Sequence, residues 1–331
     1  MSKRLRNLEQ DRSGIPRVQI GGVMESQWRF GGLTPLQLAK RVGQQINQDD
    51  VFGRSAQLAY YFLLALFPLL IVLLSALGYF ASAGTELRNS LMQYLAQAMP
   101  GSASQLVSQT ITQVIEARGS GKIVLGLLGA LWAASNGMGA IVETLNIAYG
   151  VKETRPYWKK RAVAVGLTAA LAALILCALV LTLYGGKLAE FIGSTVGLGP
   201  AFVITWKIAQ WPIVVACMGV GFALVYYFAP NVERPKWHWV SPGAAVGVVL
   251  WLLISFGLRI YLHFFNSYNQ TYGSLGAVII LMLWLYLTGA AILIGGEVNS
   301  EIAKADQARQ AHQRKLNIIQ SDLERDLKRT A

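Results

Sequence analysis

Asn136, Glu143 and Asn146 stand in "LWAASNGMGAIVETLNIAYG", which is otherwise built of apolar and small residues. Residues 123–142 just before the glutamate carry no charge over 20 positions, enough for a helix to cross a bilayer. A carboxylate and two carboxamides inside such a helix face protein or a water-filled cavity, because lipid solvates neither. With Gly139 they read as one stripe, able to line a polar path or to hold helices together. Two other polar groupings are expected near the same depth: Tyr60 and Tyr61 in "LAYYFLLALFPLL", and Glu297 and Asn299 in "GGEVN". These seven residues are the candidate cavity, expected to open to the cytoplasm between the first, second and sixth spans. Pro68 in mid-span frees a helix carbonyl and predicts a kink. Gly273 and Gly276 in "YGSLG" offer flexibility at the start of the last span, so the three form a candidate hinge set.

Other chemistries fail on spacing. "GSGK" (119–122) lacks both the earlier glycine and the following Ser/Thr of a phosphate loop. His238, His263 and His312 are scattered and carry no metal-ligand spacing. No nucleophile elbow is present. Cys177 and Cys217 both fall in apolar runs, which excludes a disulfide framework. The sequence supplies no catalytic groups, so neither enzyme activity nor a metal or other cofactor is expected.

The elements that hold these residues follow from composition. Of 331 residues 54% are hydrophobic and 14% charged, against about 25% charged in soluble domains. Six charge-poor runs predict an all-α bundle with spans near 57–80, 123–147, 162–185, 204–229, 240–262 and 274–296. Residues 1–54 form a cytoplasmic N-terminal segment, 55–299 the membrane domain, and 300–331 a polar tail. "TPLQLAKRVGQQI" predicts an interfacial helix with Thr34 as N-cap, Pro35 at its first position, a capping box with Gln37, and Leu36, Ala39, Val42 and Ile46 along its apolar face. Two amphipathic helices broken at Pro100-Gly101 are expected between the first two spans, on the outer side. "KWHWV" reads as an interfacial aromatic belt around His238.

Six spans place 23 of the 29 Lys and Arg on the side of the termini and 4 on the other. Basic flanks stay in the cytoplasm, so both termini are expected there. The net charge of +12 then fits anionic lipid headgroups, and nucleic acid is not an expected partner. Span two runs inward, which sets Glu143 near the cytoplasmic end, with Arg54, Arg155 and Arg161 as the nearest cations. Arg259 and Lys207 lie near the outer boundary, where snorkelling accounts for them.

"SAQLAYYFLLALFPLL", "AASNGMGAIVETLNIAYGVKETRPYWKKR", "APNVERPKWHWVSPGA" and "YNQTYGSLGAVIILMLWLYLTGAAILIGGEVN" together resemble the successive signature segments of the YihY/BrkB family of bacterial inner-membrane proteins. The resemblance covers about 55–299 and implies six transmembrane helices with a cytoplasmic N-terminus. It also implies a role in the cell envelope, since members are described as virulence or serum-resistance factors. An older label likens the family to ribonuclease BN, and some members are discussed as transporters of lipids or other envelope components. Two functions stay open: a permease for amphiphilic envelope components, and a non-transporting envelope protein whose polar stripe serves helix packing. Membrane lipids are the expected partners, and a second copy of the chain is left open.

Overall fold

The computed structural model describes residues 27–80, 121–196, 200–232, 241–264 and 274–330. The expected outer helix pair, the aromatic belt around His238 and Gly273 lie outside them.

Among the described residues seven α-helices follow a short 3₁₀ segment, Gln27–Gly32. They are α1 Pro35–Gln48, α2 Val51–Phe80, α3 Gly121–Ala148 and α4 Tyr157–Val196. After them come α5 Pro200–Phe228, α6 Pro242–Phe264 and α7 Ser274–Thr330. Helices α2 to α7 cover the positions of the six expected spans. Four stretches are long and apolar enough to cross a membrane: Tyr157–Thr182, Ala201–Phe228, Pro242–Leu262 and Val278–Leu327. Helices α2 and α3 reach 30 and 28 residues, but the span count of six rests on the sequence pattern alone. Helix α7 continues unbroken through 57 residues, so the polar tail is an extension of the last apolar helix.

Consecutive helices pack side by side from α2 to α7, and α7 returns against α2 to close the ring. The core lies toward one end of this ring, here called the basal end, where α2 and α4 begin and α3 and α5 finish. Val51, Leu58, Val142, Leu145, Leu167, Val225, Ala229 and Leu293 are buried there. Farther along, Leu64, Phe67, Leu128, Trp211, Leu253 and Phe256 stay exposed on the flanks, an apolar surface that suits lipid. Close approach of α6 to α7 depends on Gly243, where a side chain would run into the Gly295 carbonyl and Asn299.

Helix α1 begins as its sequence demands. Gln37 N–H donates to Thr34 Oγ1 at 3.3 Å, and Thr34 N–H donates to Gln37 Oε1 at 3.0 Å. Its buried face differs from the expected one. Leu38 and Val42 pack with Val298 and Ile302 of α7, whereas Leu36 and Ala39 are exposed. The apolar strip of α7 selects the Leu38–Val42–Ile46 ridge at i, i+4 and i+8, and Leu36 and Ala39 fall outside it. Gly31, at φ 62°, lets the preceding segment lie directly on the Ile302 carbonyl and Ala305.

Candidate functional site

The polar residues of α3 divide between two places. Asn136 and Glu143 are exposed on its outer flank, in line with Trp132 and Ile147. The first turns of α4 reach back to cover them. Lys160 Nζ lies 2.5 Å from Glu143 Oε1, and Arg161 Nη1 donates to Asn136 Oδ1 at 2.8 Å. Arg161 Nη2 also donates to the Trp132 carbonyl, and its guanidinium sits 4.1 Å from the Trp132 ring centroid. Trp158 stacks near Lys159 on the same turn. The result is a lateral strip of one ion pair and one arginine–amide pair with aromatic neighbours. It is open enough that the Glu143 side chain keeps 60% of its surface.

Asn146 departs from this strip. Ten residues at about 100° each place it roughly 80° around the helix from Asn136. It is 4% exposed, on the side facing the closed ring. The expected single stripe of Asn136, Glu143 and Asn146 therefore does not share one wall.

Asn146 instead belongs to a basal clamp. After α3, Gly150 at φ 64° turns the chain back, so that Glu153 comes under Asn146. Asn146 Nδ2 donates to Glu153 Oε2 at 2.9 Å, and Asn146 Oδ1 accepts from Asn231 N–H at 2.7 Å. Arg155 grips Glu153 in a two-point fork, Nε to Oε1 at 2.8 Å and Nη2 to Oε2 at 2.7 Å. It also donates to the Phe228 and Ala229 carbonyls that end α5. A cation at a helix C-terminus satisfies orphan carbonyls and opposes the helix dipole. Asn231 Nδ2 reaches the Lys152 carbonyl and Thr154 Oγ1, tying both loops together. The Arg155 hydrogen bond holds the Glu153 carboxyl down to about 2, against the opposing effect of its partial burial.

Glu297 and Asn299 lie on α7 at the same end. Asn299 accepts from Gly243 N–H at 2.8 Å and donates to Ser241 Oγ at 2.9 Å, fastening the start of α6. Burial pushes the hydroxyl of Tyr149, beside Asn299, well above the usual phenol range. Glu297 is fully buried. The tyrosine pair is divided: Tyr60 is 56% exposed on the outside and Tyr61 packs against the core, their rings 5.7 Å apart edge to face. Of the seven cavity candidates, the structure brings Asn146, Glu297 and Asn299 to the basal interior. Asn136, Glu143 and Tyr60 stay on the exterior.

Helix α2 runs continuously through Pro68, and Gly276 is buried within α7. Lys207 pairs with Glu190 at 3.0 Å, while Arg259 is exposed. The partners that sequence reasoning missed are Lys160, Glu153, Asn231 and Ser241. "YGVKETRP" held the available signal, since a Gly turn before an acid and a base returns both to the helix end just left. Among the described residues no three His, Cys, Asp or Glu side chains gather as a metal site.

A family model described as Virulence factor BrkB matches residues 42–318, most of the chain. The chain belongs to the BrkB family. YfkH of Bacillus subtilis strain 168, whose name calls it ribonuclease-like, is 36% identical over 252 residues, 76% of this chain and 90% of that protein. A UPF0761 membrane protein of Xanthomonas oryzae is 27% identical over 266 residues, 77% of this chain. The chain spans only 58% of that relative's length. No solved structure matches. The BrkB family segment takes in both polar networks, the lateral strip and the basal clamp. Together with the apolar helices it makes this a membrane protein of the BrkB/UPF0761 family.

Proposed function

We propose that this BrkB-family protein moves amphiphilic lipids between the leaflets of the bacterial inner membrane, with both termini in the cytoplasm. The headgroup travels along the outer flank of α3 while the acyl chains stay in the bilayer. One observation carries the reading: Asn136 and Glu143 sit on the flank of an apolar helix, with Lys160 and Arg161 folded over them. A charge facing lipid costs about 2.5–3.5 kcal/mol on insertion scales. Pairing across α3 and α4 offsets that cost at rest. A zwitterionic headgroup can exchange into the strip, its phosphate taking Lys160 and Arg161 and its cationic group taking Glu143. The route needs no bond-making chemistry, and passive exchange down a gradient is its simplest form.

The experiment is transbilayer exchange of a headgroup-labelled phospholipid in proteoliposomes, read by a membrane-impermeant quencher. Wild-type protein accelerates exchange over empty liposomes, and Glu143→Ala with Lys160→Ala lowers the rate several-fold at equal reconstitution. Equal rates in wild type, variant and empty vesicles sink the reading.

A second reading keeps a specific observation. Gly126, Gly129 and Gly139 of α3 have open space where a side chain would stand. Small residues on an open flank suit close packing of a second copy. Oxidative cross-linking of Gly139→Cys in native membranes distinguishes them, because a lipid path leaves this position monomeric.

A further inference from the structure

Glu297 is the deepest ionisable side chain of the basal end. It is 0% exposed, and neither carboxyl oxygen has a hydrogen-bond donor. None of the surrounding donors reaches it: Tyr149 makes no hydrogen bond to it, and Tyr226 donates to the Ile292 carbonyl at 2.7 Å. Ser300 donates to the Ala148 carbonyl at 2.8 Å, and Ser55 to the Val51 carbonyl at 2.7 Å. Lys304, two turns on, is held by Glu301 at 3.0 Å. Among the groups that act on Glu297 across the α1–α7 seam is another carboxyl, that of Asp49. Two ionised carboxylates cannot donate to each other, and buried like charges repel strongly.

Asp49 sits at the elbow between α1 and α2. Gln45 donates to its Oδ2 at 2.7 Å and Arg54 Nε to its backbone carbonyl at 2.7 Å, so neither supplies Glu297. The next residue, Asp50, turns the chain at φ 49°, a left-handed conformation that aspartate tolerates, and its Oδ1 accepts from Gly53 N–H at 3.3 Å. The apolar contact of Leu38 and Val42 with Val298 and Ile302 lies beside this elbow, on the same two helices.

We propose that Asp49 and Glu297 bind one shared proton, and that this proton fastens the α1–α2 elbow to α7. Losing it sets two carboxylates face to face, and α1 lifts from α7 about the Asp49–Asp50 turn. The charged and titratable groups facing the pair are Tyr149 after α3, Arg54 on α2, and Lys304 and Glu301 on α7. The site is independent of whether lipid moves along α3.

The test is hydrogen exchange of residues 35–48 in full-length protein in lipid nanodiscs, over roughly pH 5 to 9 and corrected for intrinsic exchange. In wild type the protection of α1 falls with pH, approaching tenfold per pH unit through the transition, the slope of one released proton. Asp49→Asn and Glu297→Gln each carry an amide donor that needs no proton. Both keep α1 protected across the range and lose the slope. Asp49 is only half-buried, so its variant carries the test if Glu297→Gln fails to fold. A flat wild-type profile, or a wild-type slope retained in Asp49→Asn, overturns the proposal.

Discussion

The two polar networks that touch α3 use similar side chains to opposite ends. At the base, Asn146, Glu153, Arg155 and Asn231 are held among themselves and the ends of α3 and α5, with Arg155 and Glu153 only 17% and 22% exposed. On the flank, Glu143 and Asn136 meet Lys160 and Arg161 through single long side chains and face outward. A network that closes on itself fixes structure, because each buried group it loses leaves another unpaired. A pair such as Lys160–Glu143, with a flexible lysine stem and an exposed carboxylate, can open at little cost. The contrast suits the base to stability and the flank to the lipid exchange proposed for it.

The largest effect is expected from Arg155→Ala. It removes the Glu153 fork and leaves the Phe228 and Ala229 carbonyls without their donor. Breaking a largely buried pair on one side costs about 3–5 kcal/mol. Thermal unfolding in detergent should show the loss as a clear drop in midpoint. A midpoint within error of wild type would mean that the basal clamp is not what holds α5 to the 149–156 loop.

Acid probes the same clamp without a mutation. The Glu153 carboxyl is lowered from 4.5 to about 2 by folding, so its contribution is complete above about 4.5 and fades as pH falls toward 2. The shift corresponds to at most about 3 kcal/mol. Wild-type stability should therefore decline across that window, and Glu153→Gln should flatten the decline. An identical acid limb in the variant would place the sensitive group elsewhere.

Sequence pattern resolved the helices better than their neighbours. Hydrophobic runs located α2 to α7, and the Thr34–Gln37 box located the start of α1, because both are local signals. The apolar face of α1 came out differently, since Leu36 and Leu38 are equally apolar and only the strip on α7 chooses between them. The stripe of α3 failed for a related reason. Helical spacing gives an angle about one axis, and the 80° separating Asn136 from Asn146 decides their fates only once α4 covers one side and the ring encloses the other. Glu153 and Asn231 were invisible because their roles arise from two loops that meet end on. Asp49 and Glu297 lie nearly 250 positions apart, and only the packing of α7 against α1 and α2 brings them to one seam.

Asn146→Ala sharpens the division within a single helix. The substitution leaves Asn231 N–H without its acceptor and Glu153 without one donor. A buried unsatisfied group costs about 1–3 kcal/mol. Hydrogen exchange across 149–156 should rise while α3 itself stays protected. Unchanged exchange there would remove Asn146 from the clamp.

The smallest change in stability is expected at Glu143, only seven residues from Asn136 on the same flank. Its pair with Lys160 is exposed on the carboxylate side, and such pairs contribute about 0.2–1 kcal/mol. Glu143→Gln should leave the unfolding midpoint almost where wild type has it, since glutamine keeps the size and an acceptor for Lys160. Lipid exchange should nevertheless fall, because an amide cannot hold the cationic part of a headgroup as a carboxylate does. Thiol labelling gives the matching control: with Cys177 and Cys217 replaced by Ala, a cysteine at 143 should react in detergent and one at 146 should not. If Glu143→Gln unfolds as readily as Arg155→Ala, or if position 146 labels as fast as 143, then the flank and the base are one structural unit. The lateral route would then lose its physical basis.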